Sequence, residues 1–359
     1  MIRFFGKRIK GICHNVVPKE TRNYKVKVGY CMLKYVGKRL VYMVGVFFVV
    51  SIIMFTLFNN VPGDRALTQV QHLRGKVTDE QFEAMYQNAR DKLGLDDPLP
   101  VRYVKWMGNL LQGDLGYSTQ YKRDVADVIG EPLFNTITMN IVSVILALGI
   151  TIPLGIHCAV KKNSKFDSAV QVFTIVGYSI PSFIIALVCM FFLAVQFRVF
   201  PISGMNTPNF QGTGFAFFVD RMYYLALPLI VMTLMSLGGM TRYVRAAMID
   251  ALRMDYIRTA RAKGLKEKVV IYSHAWRNAF LSVVTLIISW FMSVFMGSII
   301  IEQMFQLNGI GIMYYKGLMN QDYDLALAIQ MLYCIVNLVG NLLTDLSYGL
   351  VDPRVRVDK

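Results

Sequence analysis

The chain has 359 residues, of which 55% are hydrophobic and only 17% are charged. A soluble domain averages about 25% charged residues, so this composition excludes an ordinary soluble globular protein and also a disordered one. The formal net charge is +15, from 38 Lys and Arg against 23 Asp and Glu, which points to nucleic acid or to a membrane.

Six stretches have or approach the roughly 20 apolar residues that a membrane-spanning helix needs. They are Leu40–Phe58, Ile137–Val160, Ala169–Phe197, Tyr223–Gly239, Phe280–Ile301 and Leu325–Leu346, and the ends of the short fourth stretch can extend. Backbone groups inside a lipid bilayer must be satisfied internally, so each stretch is predicted to be a helix. The predicted fold is an all-α membrane protein with six transmembrane helices.

The basic residues alternate between the loops that connect these spans. Residues 1–39 carry eleven Lys and Arg with one acid, and the loop 240–279 carries nine Lys and Arg. Segment 59–136 instead holds nine basic and eleven acidic residues. The positive-inside rule therefore predicts that both termini, including the tail 351–359, and the loop 240–279 are cytoplasmic. The charge is thus explained by topology, and no nucleic-acid partner is expected.

Two interpretations of residues 1–31 stay open. The run Met32–Tyr35 would itself make a normal start, with a methionine, a basic residue and then a span. Residues 1–31 are then either a basic arm on the anionic inner leaflet or an extension from an upstream start codon. The length of sequence before the first span excludes a signal peptide.

Segment 59–136 is too long for a simple turn and is predicted to be a helical extracytoplasmic cap. Thr78–Gln81 fits a capping box, and the helix that follows is expected to stop at Gly94. Pro98 can open a second helix. A third stretch, Asp124–Leu133, is expected to lie along the membrane interface before the second span. The cap is either a structural lid or a docking surface for an extracytoplasmic partner.

The loop 240–279 is longer than a tether requires and contains two helical runs separated by Gly264. Ala260 and Ala262 are small enough for another surface to approach closely, Gly264 permits a sharp turn, and Leu265 places an apolar side chain there. The pattern indicates a helix that transmits force to a partner. The alternative is an amphipathic basic helix on the inner leaflet.

The run from Asp255 to Leu265, DYIRTARAKGL, resembles the coupling-helix region of ABC importer permeases of the dipeptide and oligopeptide type. The tail HAWRNA, which starts at His274, is similar to the H-x-x-R-N-A of that subfamily. The chain departs from the general permease signature E-A-A-x-x-x-G, of which only Ala260 and Gly264 are kept.

The resemblance covers Met32 to Arg356 and includes further short motifs in the same order around the spans. These are Val61–Asp64, Leu93–Asp96, Gly113–Gly116, Ile180–Phe183 and Asp352–Arg354. It implies a type-1 ABC transmembrane core over residues 137–350. It is closer to the first-position permease of a heterodimeric pair.

The resemblance implies a non-catalytic permease subunit of the cell membrane that brings peptides into the cytoplasm. It also implies its partners: a second permease subunit, two cytosolic ABC ATPase subunits, an extracytoplasmic substrate-binding protein and the lipid bilayer. ATP and magnesium would be held by the ATPases, and no cofactor or metal by this chain. In agreement, the sequence has no G-x-x-x-x-G-K-[ST] phosphate loop.

The expected ATPase contact lies on the coupling helix that the resemblance implies over Tyr256–Leu265. Its residues are Tyr256, Arg258, Thr259, Ala260, Arg261, Ala262, Gly264 and Leu265. Three other residues are candidates for a gate or pore. Pro181 interrupts the third span, where a kink is expected, Ser182 follows it, and Glu302 lies just outside the fifth span, at a pore mouth.

Other functions stay open at this point. A nickel or other small-solute permease of the same family differs only in its substrate. A membrane receptor or scaffold, whose long loop binds a regulator, predicts no ATPase partner. A membrane enzyme would need clustered catalytic side chains at one depth, and the chain's four histidines are scattered without metal-ligand spacing.

Overall fold

The computed structural model of the chain describes residues 24–61 and 63–351. Most of the predicted basic segment 1–39, including most of the 1–31 extension, and nearly all of the tail 351–359 lie outside these residues. The described part is mostly helical, with one two-stranded antiparallel sheet within it.

The elements are numbered here in chain order. The helices are α1 (Tyr24–Asn60), α2 (Arg65–Val70), α3 (Asp79–Leu93), α4 (Leu99–Leu111), α5 (Val125–Val160), α6 (Lys165–Ser179), α7 (Ser182–Cys189), α8 (Phe215–Leu252), α9 (Asp255–Ala262), α10 (Glu267–Val269), α11 (Arg277–Ser293), α12 (Ile299–Met304), α13 (Ile310–Met319) and α14 (Tyr323–Val351). The strands β1 (Tyr117–Ser118) and β2 (Arg123–Asp124) precede α5, a 3-10 turn covers Gln71–Leu73, and π-helices cover Met190–Gln196 and Val270–Trp276.

Five stretches are long and apolar enough to cross a membrane. They are Val36–Asn60, Val125–Val160, Phe215–Leu252, Glu267–Ser293 and Tyr323–Ser347. The pair Lys165–Ser179 and Ser182–Gln196 passes the same test only when its two helices are taken together. The fold is therefore a helical membrane protein with five spans among the described residues, or six if the bent pair is one span.

The predicted third span, Ala169–Phe197, is broken rather than kinked. α6 ends at Ser179, α7 starts at Ser182, and the two helices meet at 106°. Pro181 has no backbone N–H and disfavours the helical conformation of the residue before it, and Ile180 is accordingly extended, at ψ 128°. The chain changes direction at Pro181, as predicted, but the angle is larger than that of a kink within a continuous helix.

The stretch Asp124–Leu133 is not the separate interfacial helix that the sequence predicted. It forms the first turns of α5, which continues without a break to Val160. Val125 and Ile129 are buried, and they pack in a cluster with Ile310 and Leu325. The apolar side of this stretch therefore meets the protein's own core instead of lipid.

The predicted fifth span, Phe280–Ile301, ends earlier than expected, at Ser293. The chain leaves the helix because it must cross α13, and a Cβ at Gly297 would overlap the backbone of Gly311. The Asn140 side chain of α5 donates hydrogen bonds to the carbonyls of Val294 and Met296, both at 2.9 Å. These bonds satisfy backbone groups that the end of a helix leaves free.

The two helices predicted to follow Thr78 and Pro98 are present in the structure. α3 begins with a capping box between Thr78 and Gln81, and Gly94 ends it in the left-handed conformation at φ 60°. Pro98 precedes the first residue of α4, which ends at Leu111.

A close helix contact that a glycine permits lies between α5 and α8. A Cβ at Gly155 would lie 2.8 Å from the Cβ of Val244 and 2.9 Å from the carbonyl oxygen of Thr241. Gly149 lies on the same helix with nothing within 4 Å of its Cβ position, so it provides a matched control.

Gly155→Ala is expected to lower the free energy of unfolding by about 1–3 kcal/mol, because the added methyl overpacks the α5–α8 contact. Gly149→Ala is expected to be neutral or to raise stability by up to about 1 kcal/mol, because alanine loses less backbone entropy in a helix. Thermal melting of the detergent-solubilised assembly checks both. Equal melting temperatures for the two variants would contradict the packing argument.

Candidate functional site

The candidate coupling site lies beyond the end of α8, a helix much longer than its predicted span. α8 has 38 residues, and at 1.5 Å per residue it is about 57 Å long, against a hydrocarbon core of about 30 Å. It continues 13 residues past Gly239, where the sequence predicted a loop. A turn at Arg253 and Met254 then leads into α9.

α9 is the short helix that the sequence predicted over Tyr256–Leu265, with its bounds shifted to Asp255–Ala262. The helix ends early because Gly264 adopts φ 73°, a left-handed conformation that favours glycine. Arg261 then reaches across this turn, and its Nη2 and Nε donate to the two carboxylate oxygens of Glu267 at 2.6 and 3.2 Å. These hydrogen bonds raise the pKa of the Arg261 guanidinium.

The inner side of α9 is packed against the rest of the chain. Ile257 is fully buried and Ala260 is 6% exposed, in one apolar cluster with Met248 of α8 and with Val270 and Ala275 after the turn. The small side chain of Ala260 therefore allows other helices of this chain to pack closely against α9. The packing fixes α9 to the end of α8.

The other predicted contact residues lie on the outer side of α9 and in the turn that follows it. Tyr256, Arg258, Thr259, Arg261, Ala262, Gly264 and Leu265 are all exposed. Arg258 is 3.7 Å from Asp255, and both of these side chains are largely in solvent. Partial burial raises the pKa of the Tyr256 hydroxyl.

Three more apolar side chains beside α9 are exposed and were missed by the sequence reasoning. Met254, Val269 and Tyr272 lie immediately before and after the DYIRTARAKGL motif, each at least 40% exposed. Large apolar residues within a charged loop were the available signal. Together with the outer residues of α9 they form what we call the coupling surface, an apolar patch ringed by basic groups.

A buried ion pair ties α8 to the start of α6. Arg245 donates through Nε to Oδ1 of Asp167 at 2.6 Å and through Nη2 to Oδ2 at 2.7 Å. Asp167 is only 2% exposed and also accepts the backbone N–H of Asn163. In the sequence, Arg245 is recognisable only as one of the basic residues of the loop 240–279, because its partner is 78 residues away.

The three gate or pore candidates do not form one site. Pro181 lies exposed at the α6–α7 break and Ser182 is half-buried at the start of α7. Glu302, in α12, is 0% exposed. Its carboxylate is enclosed by groups of the chain itself, and the assignment of Glu302 to a gate or pore stays a prediction.

The carboxylate of Glu302 accepts hydrogen bonds from several neighbouring groups. The backbone N–H of Ile312 donates to Oε2 at 2.7 Å, and the Thr136 hydroxyl donates to Oε1 at 3.0 Å. The backbone N–H of Gly311 also donates. Burial raises the pKa of this carboxyl, although the donated hydrogen bonds oppose the shift.

Glycines make room for the carboxylate. A Cβ at Gly309 would overlap the carboxylate of Glu302, and a Cβ at Gly297 would lie 2.8 Å from its Oε1. Gly311 is similarly close to Oε2, at 3.0 Å. We call this arrangement, with Thr136 and Ile312, the Glu302 cage. It joins α5, α12 and α13 at the break that follows α11.

The described residues also bear on metal binding. Within residues 24–61 and 63–351, no group of three His, Cys, Asp or Glu side chains is placed to hold a metal ion.

Comparison with known proteins places these features in a family. Residues 151–357 match the family described as "Binding-protein-dependent transport system inner membrane component", and residues 32–140 match the corresponding N-terminal family. The chain is 36% identical over 325 residues to the oligopeptide transport system permease protein AppB of Bacillus subtilis, covering 90% of this chain and 99% of that protein.

Two further similarities were found. The oligopeptide transport system permease protein OppB of Haemophilus influenzae is 30% identical over 326 residues, which cover 90% of this chain and all of that protein. Among solved structures, the MetNI methionine ABC transporter in inward-facing form matches with a TM-score of 0.47 and 16% identity, covering 61% of this chain and 96% of that one. The family match, the permease relatives and the membrane helices agree, and the chain belongs to the inner membrane components of binding-protein-dependent transport systems.

Proposed function

We propose that this chain is a permease subunit of an ATP-driven ABC importer that brings peptides into the cytoplasm. The observation that carries the coupling part of this proposal is α9, a short helix fixed by its inner side to the end of α8 with its coupling surface exposed. The peptide substrate is supported by the similarity to permeases of oligopeptide transport systems.

The proposed assembly contains a second permease, two cytosolic ATPase subunits and an extracytoplasmic binding protein that delivers the peptide. ATP and magnesium belong to the ATPases. The coupling surface would seat in the ATPases, and their closure on ATP would displace α9. Because Ile257 and Ala260 pack into the cluster that contains Met248, that displacement would be passed to α8 and to the spans packed against it. The assembly is then a two-state element biased from both sides of the membrane.

The orientation that this mechanism needs is supported by charge. Arg258, Arg261, Lys263, Lys266 and Lys268 lie on or next to the coupling surface. The positive-inside rule places such a segment in the cytoplasm, together with both termini. Helices α3 and α4 then lie on the extracytoplasmic side, where a binding protein would dock.

Gly264→Trp is expected to uncouple ATP hydrolysis from transport while leaving the assembly intact. Tryptophan at φ 73° is strained, and because nothing of this chain lies within 4 Å of a Cβ at this position, its ring would project outward toward the proposed ATPase contact. Peptide uptake should fall at least about tenfold while ATPase activity of the purified assembly persists. Uptake of labelled peptide by proteoliposomes, with ATP hydrolysis measured in parallel, checks this.

Gly75→Trp is the matched control, because Gly75 also has a positive φ and open space around it but lies in the extracytoplasmic segment. It is expected to leave coupling unchanged. Normal uptake in the Gly264 variant would contradict the coupling assignment. If the native assembly took up nickel but not peptide, its assignment as a permease would stand and the proposed peptide substrate would be wrong.

A further inference from the structure

Helix α4 packs one face against α1 through aromatic side chains. The ring of Phe55 is 5.2 Å from the ring of Trp106 and 5.6 Å from that of Tyr103, measured between centroids. Leu99 and Leu110, at the two ends of α4, belong to the same apolar cluster. The four residues of α4 follow the 3.6-residue helical repeat, so they define a single face along its length.

The face of α4 that contacts α1 packs beside residues of α1 that lie several turns before its C-terminal end. The Tyr103 hydroxyl lies 2.8 Å from Oγ of Ser51, within hydrogen-bonding distance. Ser51 is nine residues before the last residue of α1, which is about 14 Å along a helix at 1.5 Å per residue. Ser51 also belongs to the apolar membrane span Val36–Asn60. α4 therefore lies beside the outer turns of a span, at the depth of the membrane interface.

One flank of α4 is polar and borders a cavity of about 550 Å³. Arg102 donates to the side-chain oxygen of Asn59, and Lys105 donates to Asp97 at 2.6 Å. Asn109 lines the same cavity. These groups mark the side of α4 that faces water.

The other flank is apolar and exposed. Val101, Val104 and Leu111 are 43%, 68% and 70% exposed, with Gly108 between the last two. Their spacing of three and seven residues keeps them on one side of the helix. At about 100° per residue, this flank and the polar flank lie on opposite sides of the face that contacts α1.

We propose that α4 is an interfacial helix whose apolar flank lies among lipid acyl chains. α1 itself exposes Val49, Ile52 and Leu57 over the same outer turns, so the apolar flank adjoins a surface that lipid must cover. A helix that rests on a span and turns its polar flank to an aqueous cavity directs its remaining flank into the bilayer. Aromatic residues such as Tyr103 and Trp106 are favoured at this depth.

The consequence is an anchor that holds the extracytoplasmic segment at a fixed height on the membrane. It requires only that α1 crosses the bilayer. It therefore stands or falls separately from the peptide substrate and from the coupling surface.

Site-directed spin labelling of the complete transporter in phosphatidylcholine and phosphatidylglycerol nanodiscs tests the proposal. Nitroxides are placed at Val104→Cys and, independently, at Leu111→Cys, in a background without the five native cysteines. We expect both labels to collide at least about threefold more often with oxygen, which concentrates in lipid, than with a water-soluble nickel chelate, relative to the controls.

Two controls match the labelled sites. Asn109→Cys lies on the polar flank of the same helix, and Met85→Cys replaces an apolar residue of α3 that is 44% exposed. Both should collide preferentially with the nickel chelate. The proposal is overturned if the Val104 and Leu111 labels behave like Met85. It is equally overturned if they are shielded from both reagents, because a protein partner then covers the flank.

Discussion

Glu302→Ala is expected to remove most of the stable permease from the membrane. The substitution takes away the acceptor for the Ile312 N–H, the Gly311 N–H and the Thr136 hydroxyl, all inside the Glu302 cage. A buried donor left without a partner costs about 1–3 kcal/mol, and a folded domain is stable by only about 5–15 kcal/mol. The cavity left by the side chain adds to the loss.

The cage also lies at a crossing where two backbone segments are in direct contact. Gly297 and Gly311 are in backbone contact, and the carboxylate fills the space beside them. Without it, α12 loses its side-chain hydrogen bonds to Ile312 of α13 and to Thr136 of α5. The yield of monodisperse assembly after detergent extraction, and the melting temperature of what remains, measure the effect.

Glu302→Gln should have an intermediate effect. Its amide oxygen can still accept the Ile312 N–H, but its amide group now donates toward Thr136. The Thr136 oxygen already accepts the Ile310 N–H at 3.0 Å, so its hydroxyl must turn to a new acceptor. Gln303→Ala, at the exposed next position of α12, is the control and should behave like the native chain. A melting temperature for Glu302→Ala within about 1 °C of the control would correspond to less than about 1 kcal/mol in a chain of 359 residues, and it would refute the cage as a stabilising element.

The Glu302 cage shows which parts of such a site a sequence can predict. Glu302 was recognised as unusual because it follows an apolar span, but its position relative to that span suggested exposure. Its partner Thr136 is 166 residues away. The order of spans does not determine which two distant turns cross, so neither the burial nor the donors could be derived.

The coupling region was more predictable because its information is local. Turn chemistry at Gly264 and helix-forming residues before it are sufficient to indicate α9. The division of α9 into two sides was not predictable in the same way. Ala260 was expected to face a partner, yet it is buried by Val270 and Ala275, whose π-helical backbone has no simple repeat in the sequence.

The apolar spans were predicted from hydropathy, but the breaks within and after them were not. The break between α6 and α7 could be predicted from Pro181, because proline has no backbone N–H. The end of α11 at Ser293 had no such sign, because the residues after it are as apolar as those before it. The break depends on Asn140 of α5, whose amide satisfies the freed carbonyls.

Asp167→Ala is expected to destabilise the permease by about 3–5 kcal/mol, because it leaves the Arg245 guanidinium buried without its counter-ion. Arg245 is 20% exposed and Asp167 2%, so solvent screens the pair only weakly. Arg245→Lys keeps the charge but loses the bidentate hydrogen bonding, and a smaller loss of stability is expected. Melting temperatures of the purified assembly give the order of the variants.

The same pair should matter for transport independently of stability. Arg245 lies seven residues, or about 10 Å, before the end of α8, and α9 follows directly. The pair therefore fixes the segment that carries the coupling surface to the start of α6. Without it, movement of α9 would be absorbed by α8 bending away from α6, and ATP would be hydrolysed with little transport.

A double variant, Asp167→Leu with Arg245→Met, separates these two effects. Replacing a buried ion pair with apolar residues of similar volume is often neutral, so the double variant should recover most of the stability that Asp167→Ala loses. It should not recover coupling, because a flexible apolar contact does not hold α8 at a defined angle to α6. We expect near-native melting with peptide uptake reduced severalfold per ATP hydrolysed. Native coupling in a stable double variant would show that the pair only stabilises the fold, and that the force from α9 reaches the spans through the apolar contacts of Met248 alone.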